Sequence, residues 1–175
     1  MRRIIIIGYM GAGKTTVGRE LAKSTDLQFF DLDRYIESRM RKTVPQIFAE
    51  RGEDEFRAIE HNMLHEVAEF EDIVLSCGGG TPCFFDNMDY MIGQGQVVYL
   101  KAEPEVLHAH LMMGKMERPV LEGKKDAALL EHIKRQLAER EPFYTRAPYT
   151  LDVSLMDNFK KIKITVSKLR EILEI

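Results

Sequence analysis

Only two cysteines occur among the 175 residues, Cys77 and Cys83, six positions apart and with no second pair elsewhere. That count argues against a disulfide scaffold and a zinc site, and a reducing compartment, the cytoplasm, is expected. Long apolar runs are also missing. The run Ile4 to Ile7 behind Met1-Arg2-Arg3 is four residues long and stops at a glycine. It is too short for a signal-peptide core or a membrane span, so no targeting segment and no membrane association are expected. Neither sign of charge dominates: 25 Lys and Arg against 28 Asp and Glu leave a formal charge of −3. Such a balance excludes a broad nucleic-acid or polybasic membrane surface. An anionic ligand must then be drawn by a local cluster of Arg and Lys. The five histidines form no metal-ligating set in sequence: His61 and His65 stand i,i+4 without a third ligand nearby, and all five are expected to be non-catalytic. Repeats, linkers and low-complexity tracts are absent, so residues 1–175 are expected to fold as one domain with its own core.

What is present alternates between buried-strand and helix patterns. Ile4 to Ile7 is a β-branched run of the kind buried on both faces of a parallel sheet. A glycine loop follows, then a helix from Lys14 to about Ser24 and a short strand at Phe29-Phe30. Helices are expected from Asp33 to about Arg41, from Thr43 to a break at Arg51-Gly52, and from Glu53 to Glu69. Ile73 to Leu75 and Val97 to Leu100 read as further buried strands. Helices from Glu103 to Met113 and Asp126 to Arg146, a strand near Thr150 to Val153 and a helix from Phe159 complete the pattern. The charged segment 114–125 lacks apolar periodicity and is read as a lid loop. Strands alternating with helices imply an α/β sheet with right-handed crossovers.

Gly8-Tyr9-Met10-Gly11-Ala12-Gly13-Lys14-Thr15 fits G-x-x-x-x-G-K-[ST], after a strand and at the opening of a helix. Backbone amides of Gly11, Ala12 and Gly13, with Thr16 beyond them, can wrap nucleotide phosphates at the positive end of the helix. Lys14 supplies an ammonium to the β- and γ-phosphates, and the Thr15 hydroxyl can ligate Mg²⁺. The loop implies a nucleotide without naming the acceptor.

Asp31 and Asp33 stand two apart at a strand end, where side chains share a face and can point into one crevice. One can serve the metal while the other orients an acceptor hydroxyl and takes its proton. The alternative is a helix cap at Asp33 beside a solvated acid. Arg57, among Glu55, Glu60 and Glu66, reads alone as an exposed helix arginine with i,i+3 pairs, and Arg140 as a solvated residue near a helix end. Gly78-Gly79-Gly80 after a buried strand suggests close approach of backbone to a ligand, with a structural turn as the alternative.

Together these segments resemble shikimate kinase. The resemblance runs through the loop Gly8 to Thr15, Asp31-Leu32-Asp33, Phe56-Arg57-Ala58-Ile59-Glu60, Leu75 to Gly80, Arg118-Pro119-Val120-Leu121, and Glu139-Arg140 before Phe143-Tyr144. It implies a P-loop NTPase fold, an α/β/α sandwich around a five-stranded parallel sheet with a mobile lid. It also implies transfer of the γ-phosphoryl of ATP to the 3-hydroxyl of shikimate, with Mg²⁺, by a monomer. By that resemblance Asp31 joins Thr15 and, through water, Ser76 in the magnesium shell, and Asp33 is the base. Arg57 and Arg140 clamp the shikimate carboxylate, the Gly79 and Gly80 backbone meets the ring, and Arg118 arrives on the lid to neutralise the transferring phosphate beside Lys14.

One departure stands out. Where many members of that family carry a lid arginine that packs on adenine, about seven residues before Arg118, this chain has His110-Leu111-Met112-Met113. An imidazole or thioether contact is one reading; methionines finishing an apolar helix face is the other, and it is preferred. Ser154 to Asn158 corresponds only loosely to the family's adenine loop. Cys77 is expected to be a buried small residue. A gluconate kinase or a silent ATP-binding homologue are the competing readings.

Overall fold

In the computed structural model, which describes residues 1–113, 123–154 and 159–175, five strands form one parallel sheet in the order β2-β3-β1-β4-β5. The strands are β1 (Arg3–Ile7), β2 (Gln28–Asp31), β3 (Ile73–Ser76), β4 (Gln96–Lys101) and β5 (Tyr149–Asp152). Ile4, Ile5, Ile6 and Ile7 are fully buried in the central strand. Each contributes about 1.5–3 kcal/mol of apolar transfer. This is why a run with no alternation of polar and apolar residues forms a strand here. Helices α1 (Lys14–Thr25), α2 (Leu32–Met40), α3 (Val44–Ala68), α4 (Asn87–Gln94), α5 (Pro104–Met113), α6 (Gly123–Tyr144) and α7 (Phe159–Leu173) connect and flank the strands.

Local chemistry sets most of these boundaries. Thr43 caps α3 in a reciprocal capping box with Gln46, and Pro45 sits in its first turn. The expected break at Gly52 appears as a kink within α3, where the backbone takes φ 78° and ψ 174°. Two expectations are corrected. The helix expected from Asp126 begins at Gly123, so residues 123–125 of the segment read as a lid loop are helical, and it ends at Tyr144 rather than Arg146. The strand-face argument for Asp31 and Asp33 also fails: β2 ends at Asp31, which caps α2, and Asp33 lies in the first helical turn. Helix α4 and the 3₁₀ turn Thr81–Cys83 form without a clear sequence pattern.

The topology gathers the site. The segments after β1, β2 and β3 all leave the carboxyl edge of the sheet, where ligands of open α/β sheets bind. Parallel register pairs Asp31 with Ser76 and Ser76 with Ile6, so the ends of these three strands lie side by side.

Candidate active site

The phosphate loop joins β1 to α1. Gly13 occupies the N-cap at φ 89°, a left-handed conformation that a side chain would strain. Lys14 is folded back onto its own loop, its Nζ donating to the Tyr9 carbonyl at 3.0 Å. Burial lowers its pKa to about 8, against the pull of Asp33, Cys77 and Asp31. Ala12 is buried, and its N–H also donates to the Tyr9 carbonyl, at 3.2 Å.

Asp31 holds two groups at once. Oδ1 accepts from the Arg34 amide at 3.2 Å, which fixes the start of α2, and Oδ2 accepts from the Thr15 hydroxyl at 2.9 Å. Ser76, its register partner, is buried at the end of β3. Asp33, one helical step beyond, reaches the same cavity by the turn of α2 rather than by strand alternation. Burial first, then the charges of Asp31 and Glu60, raise its pKa to about 6, and Lys14 offsets part of this. A carboxyl poised there is a competent proton acceptor near neutral pH.

The glycine triplet meets three different charged side chains. A Cβ on Gly78 would lie 3.2 Å from Asp33 Oδ1, one on Gly79 would lie 3.1 Å from an Arg140 nitrogen, and one on Gly80 only 2.6 Å from Arg57 Nη2. No side chain fits at Gly80 without displacing that guanidinium. Arg57 is 8% exposed and Glu60 1% exposed. Their i,i+3 pair exists, at 3.0 Å, but it is buried, contrary to the surface reading of Arg57. Glu60 also accepts from the Thr81 hydroxyl at 2.8 Å, and the guanidinium lies 4.2 Å from the Phe84 ring centroid. Arg140 is half-buried, 5.6 Å above the Tyr9 ring, so it too is no solvated helix-end residue.

A cavity of about 520 Å³ opens over the phosphate loop. Gly11, Gly13, Lys14, Thr15 and Thr16 line it with Asp31, Asp33, Ser76 and Gly79. Among the described residues, Ala12, Gly80, Arg57 and Arg140 do not line it; the two arginines approach through the triplet. Its far wall includes His110, Met113 and Ile162, and His110 Nδ1 lies 2.8 Å from the Gly11 carbonyl. Met113 is 67% exposed, so it does not complete the apolar face of α5 as preferred from sequence.

A family model described as shikimate kinase matches residues 10–171. The chain belongs to the shikimate kinase family. A shikimate kinase of Bacteroides fragilis is 50% identical over 175 residues, covering all of this chain and 98% of its own length. That of Parabacteroides distasonis is 57% identical over 156 residues, covering 89% of this chain and 90% of its own. The crystal structure of the shikimate kinase from Bacteroides thetaiotaomicron superposes with a TM-score of 0.92 at 45% identity, covering 99% of each chain. One from Acinetobacter baumannii in complex with shikimate gives 0.82 at 32%, covering 99% and 94%. A gluconokinase from Sinorhizobium meliloti gives 0.60 at 18% identity, covering 99% and 95%, and shares the fold alone.

Within this shikimate kinase family member, several contacts around the site were not legible beforehand. Tyr9 is buried within the loop, carries the Arg140 guanidinium over its ring, and donates to Gln136 Oε1 at 2.6 Å. Tyr144 donates to the Gly79 carbonyl and so ties α6 to the triplet. A buried tyrosine at a variable position of the phosphate loop was the available signal for the first. The spacing Arg140-x-x-x-Tyr144, one helical turn, was the signal for the second. Cys77 is buried, as expected, at the cavity wall, and burial raises its thiol pKa strongly. Arg118 and the segment 114–122 lie outside the described residues.

Proposed function

We propose that this chain transfers the γ-phosphoryl group of ATP to the 3-hydroxyl of shikimate, giving ADP and shikimate 3-phosphate. The carrying observation is the glycine triplet, where Asp33, Arg57 and Arg140 converge at the edge of a phosphate-loop cavity. Two guanidiniums suit one carboxylate, and one carboxylate suits the hydroxyls of an alicyclic acid. The A. baumannii relative bound to shikimate supports the same acceptor.

In this reading Arg57 and Arg140 hold the shikimate carboxylate, with Glu60 fixing Arg57 and Tyr9 supporting Arg140. The Gly79 and Gly80 backbone borders the ring. Asp33 orients the 3-hydroxyl and accepts its proton as the oxygen bonds to the γ-phosphorus and the bond to ADP breaks. Lys14 leaves the Tyr9 carbonyl for the β- and γ-phosphates, where the negative charge raises its lowered pKa. Gly11, Ala12, Gly13 and Thr16 surround the phosphates, and Arg118, which lies outside the described residues, neutralises the transferring group.

The Thr15 and Asp31 oxygens, 2.9 Å apart, are hard donors of the type magnesium takes, with Ser76 in register to hold a water. Bound there, Mg²⁺ would supply charge neutralisation at the phosphates. Adenine rests against His110, Met113 and Ile162 in place of an arginine. A monomer of one domain belongs to this reading. Among the described residues no helix is long and apolar enough to cross a membrane, and a cytoplasmic location fits the reduced cysteines. Coupled ADP release with shikimate and with gluconate tests this reading. Turnover on shikimate is expected; turnover on gluconate alone would refute it.

A further inference from the structure

We infer that His61, His65 and Asp86 form a second, non-catalytic site for a divalent cation of the zinc class. His61 and His65 lie one turn apart on α3, and Asp86 stands just before the start of α4, its side chain making no capping bond there. Donor atoms of the three side chains lie within 4.8 Å of one another, so the third ligand missing from the sequence neighbourhood is supplied by the fold. Metal–nitrogen bonds of about 2.0–2.1 Å need donors no farther apart than about 4 Å. Asp86 is 69% exposed, so its carboxylate is free to turn towards the two imidazoles.

Further observations point to a ligand here. His65 Nε2 is buried and has no hydrogen-bond partner, although buried polar atoms are nearly always paired. Both imidazoles are also held in place. Asn87 Oδ1 lies 2.6 Å from His61 Nδ1, and its Nδ2 donates to the Thr81 carbonyl at 2.9 Å, which leaves Nε2 as the nitrogen that His61 can offer. His65 stacks on Tyr90 with centroids 3.5 Å apart, and Phe85 packs 5.1 Å from His61 as an apolar wall. Two imidazoles and one carboxylate, with room for water on the exposed side, select Zn²⁺ over Mg²⁺. None of the three lines the phosphate-loop cavity.

The test uses the full chain without a histidine tag, in excess Mg²⁺ to occupy Thr15 and Asp31. Calorimetric titration with Zn²⁺, and Co²⁺ titration read by visible absorption, should give one ion per chain. Asp86→Asn, at an exposed position, and His61→Gln should each weaken binding roughly 10-fold or more. Absence of saturable Zn²⁺ binding, or equal affinity in both variants and the parent, would overturn the site.

Discussion

Replacing Asp33 by asparagine should remove most of the turnover and at the same time make the protein more stable. In the folded chain burial and the nearby Asp31 and Glu60 hold the Asp33 carboxyl near pH 6, against an ordinary value of 3.8. At about 1.4 kcal/mol per pH unit this corresponds to about 3 kcal/mol. The sign follows from proton counting. Between those two pH values the folded state binds more protons at this position than the unfolded chain. Stability contributed by the group is therefore full below about pH 4, falls as pH rises toward 6, and stays lost above it. Asparagine keeps the shape and carries no charge to desolvate. At pH 7 Asp33→Asn should gain up to about 3 kcal/mol in urea unfolding, and by pH 4 the gap should shrink to below about 1 kcal/mol. For a chain of this size the gain raises Tm by about 2–4 °C per kcal/mol. Turnover with shikimate should fall by about 100-fold or more, with ATP affinity retained. A variant less stable than the parent at pH 7, or a gap that does not change with pH, would refute the electrostatic account. Near-normal turnover would refute the base.

Other changes separate the two halves of the site. Gly80→Ala places a methyl group 2.6 Å from Arg57 Nη2. The guanidinium must swing aside, and KM for shikimate should rise by about 10-fold or more while KM for ATP stays unchanged; equal effects on both substrates would contradict the assignment. Glu60→Gln leaves Arg57 without its fully buried counter-charge, although Glu53 remains 3.4 Å away. Denaturant titration should show a loss of about 3 kcal/mol, the lower end for breaking a buried pair. Met113→Ala should raise KM for ATP and leave KM for shikimate unchanged, as steady-state kinetics with each substrate varied would report. The kcat/KM for shikimate should decline on the acid side with an apparent pKa near 6, where Asp33 titrates, and no such limb should survive in the residual activity of Asp33→Asn.

How far the sequence could be read depended on whether a feature was local. The phosphate loop, the buried strand before it and the capping of α3 rest on residues within a few positions, and they were legible. The two aspartates do line one cavity, but not by strand alternation: Asp31 ends β2 as a cap and Asp33 belongs to α2. Arg57 shows the limit most clearly. Its pairing with Glu60 was visible as i,i+3 spacing, but spacing carries no information about burial. Burial comes from Phe84 and Thr81, over 20 residues away, which close over the pair. Without them the pair would be a solvated contact worth little. With them it is a fixed guanidinium whose position is set to within a methyl group by Gly80. The glycine triplet therefore gathers what spacing alone leaves scattered. Its three missing side chains, and not its flexibility, let Asp33, Arg140 and Arg57 close on one stretch of backbone beside the phosphate loop.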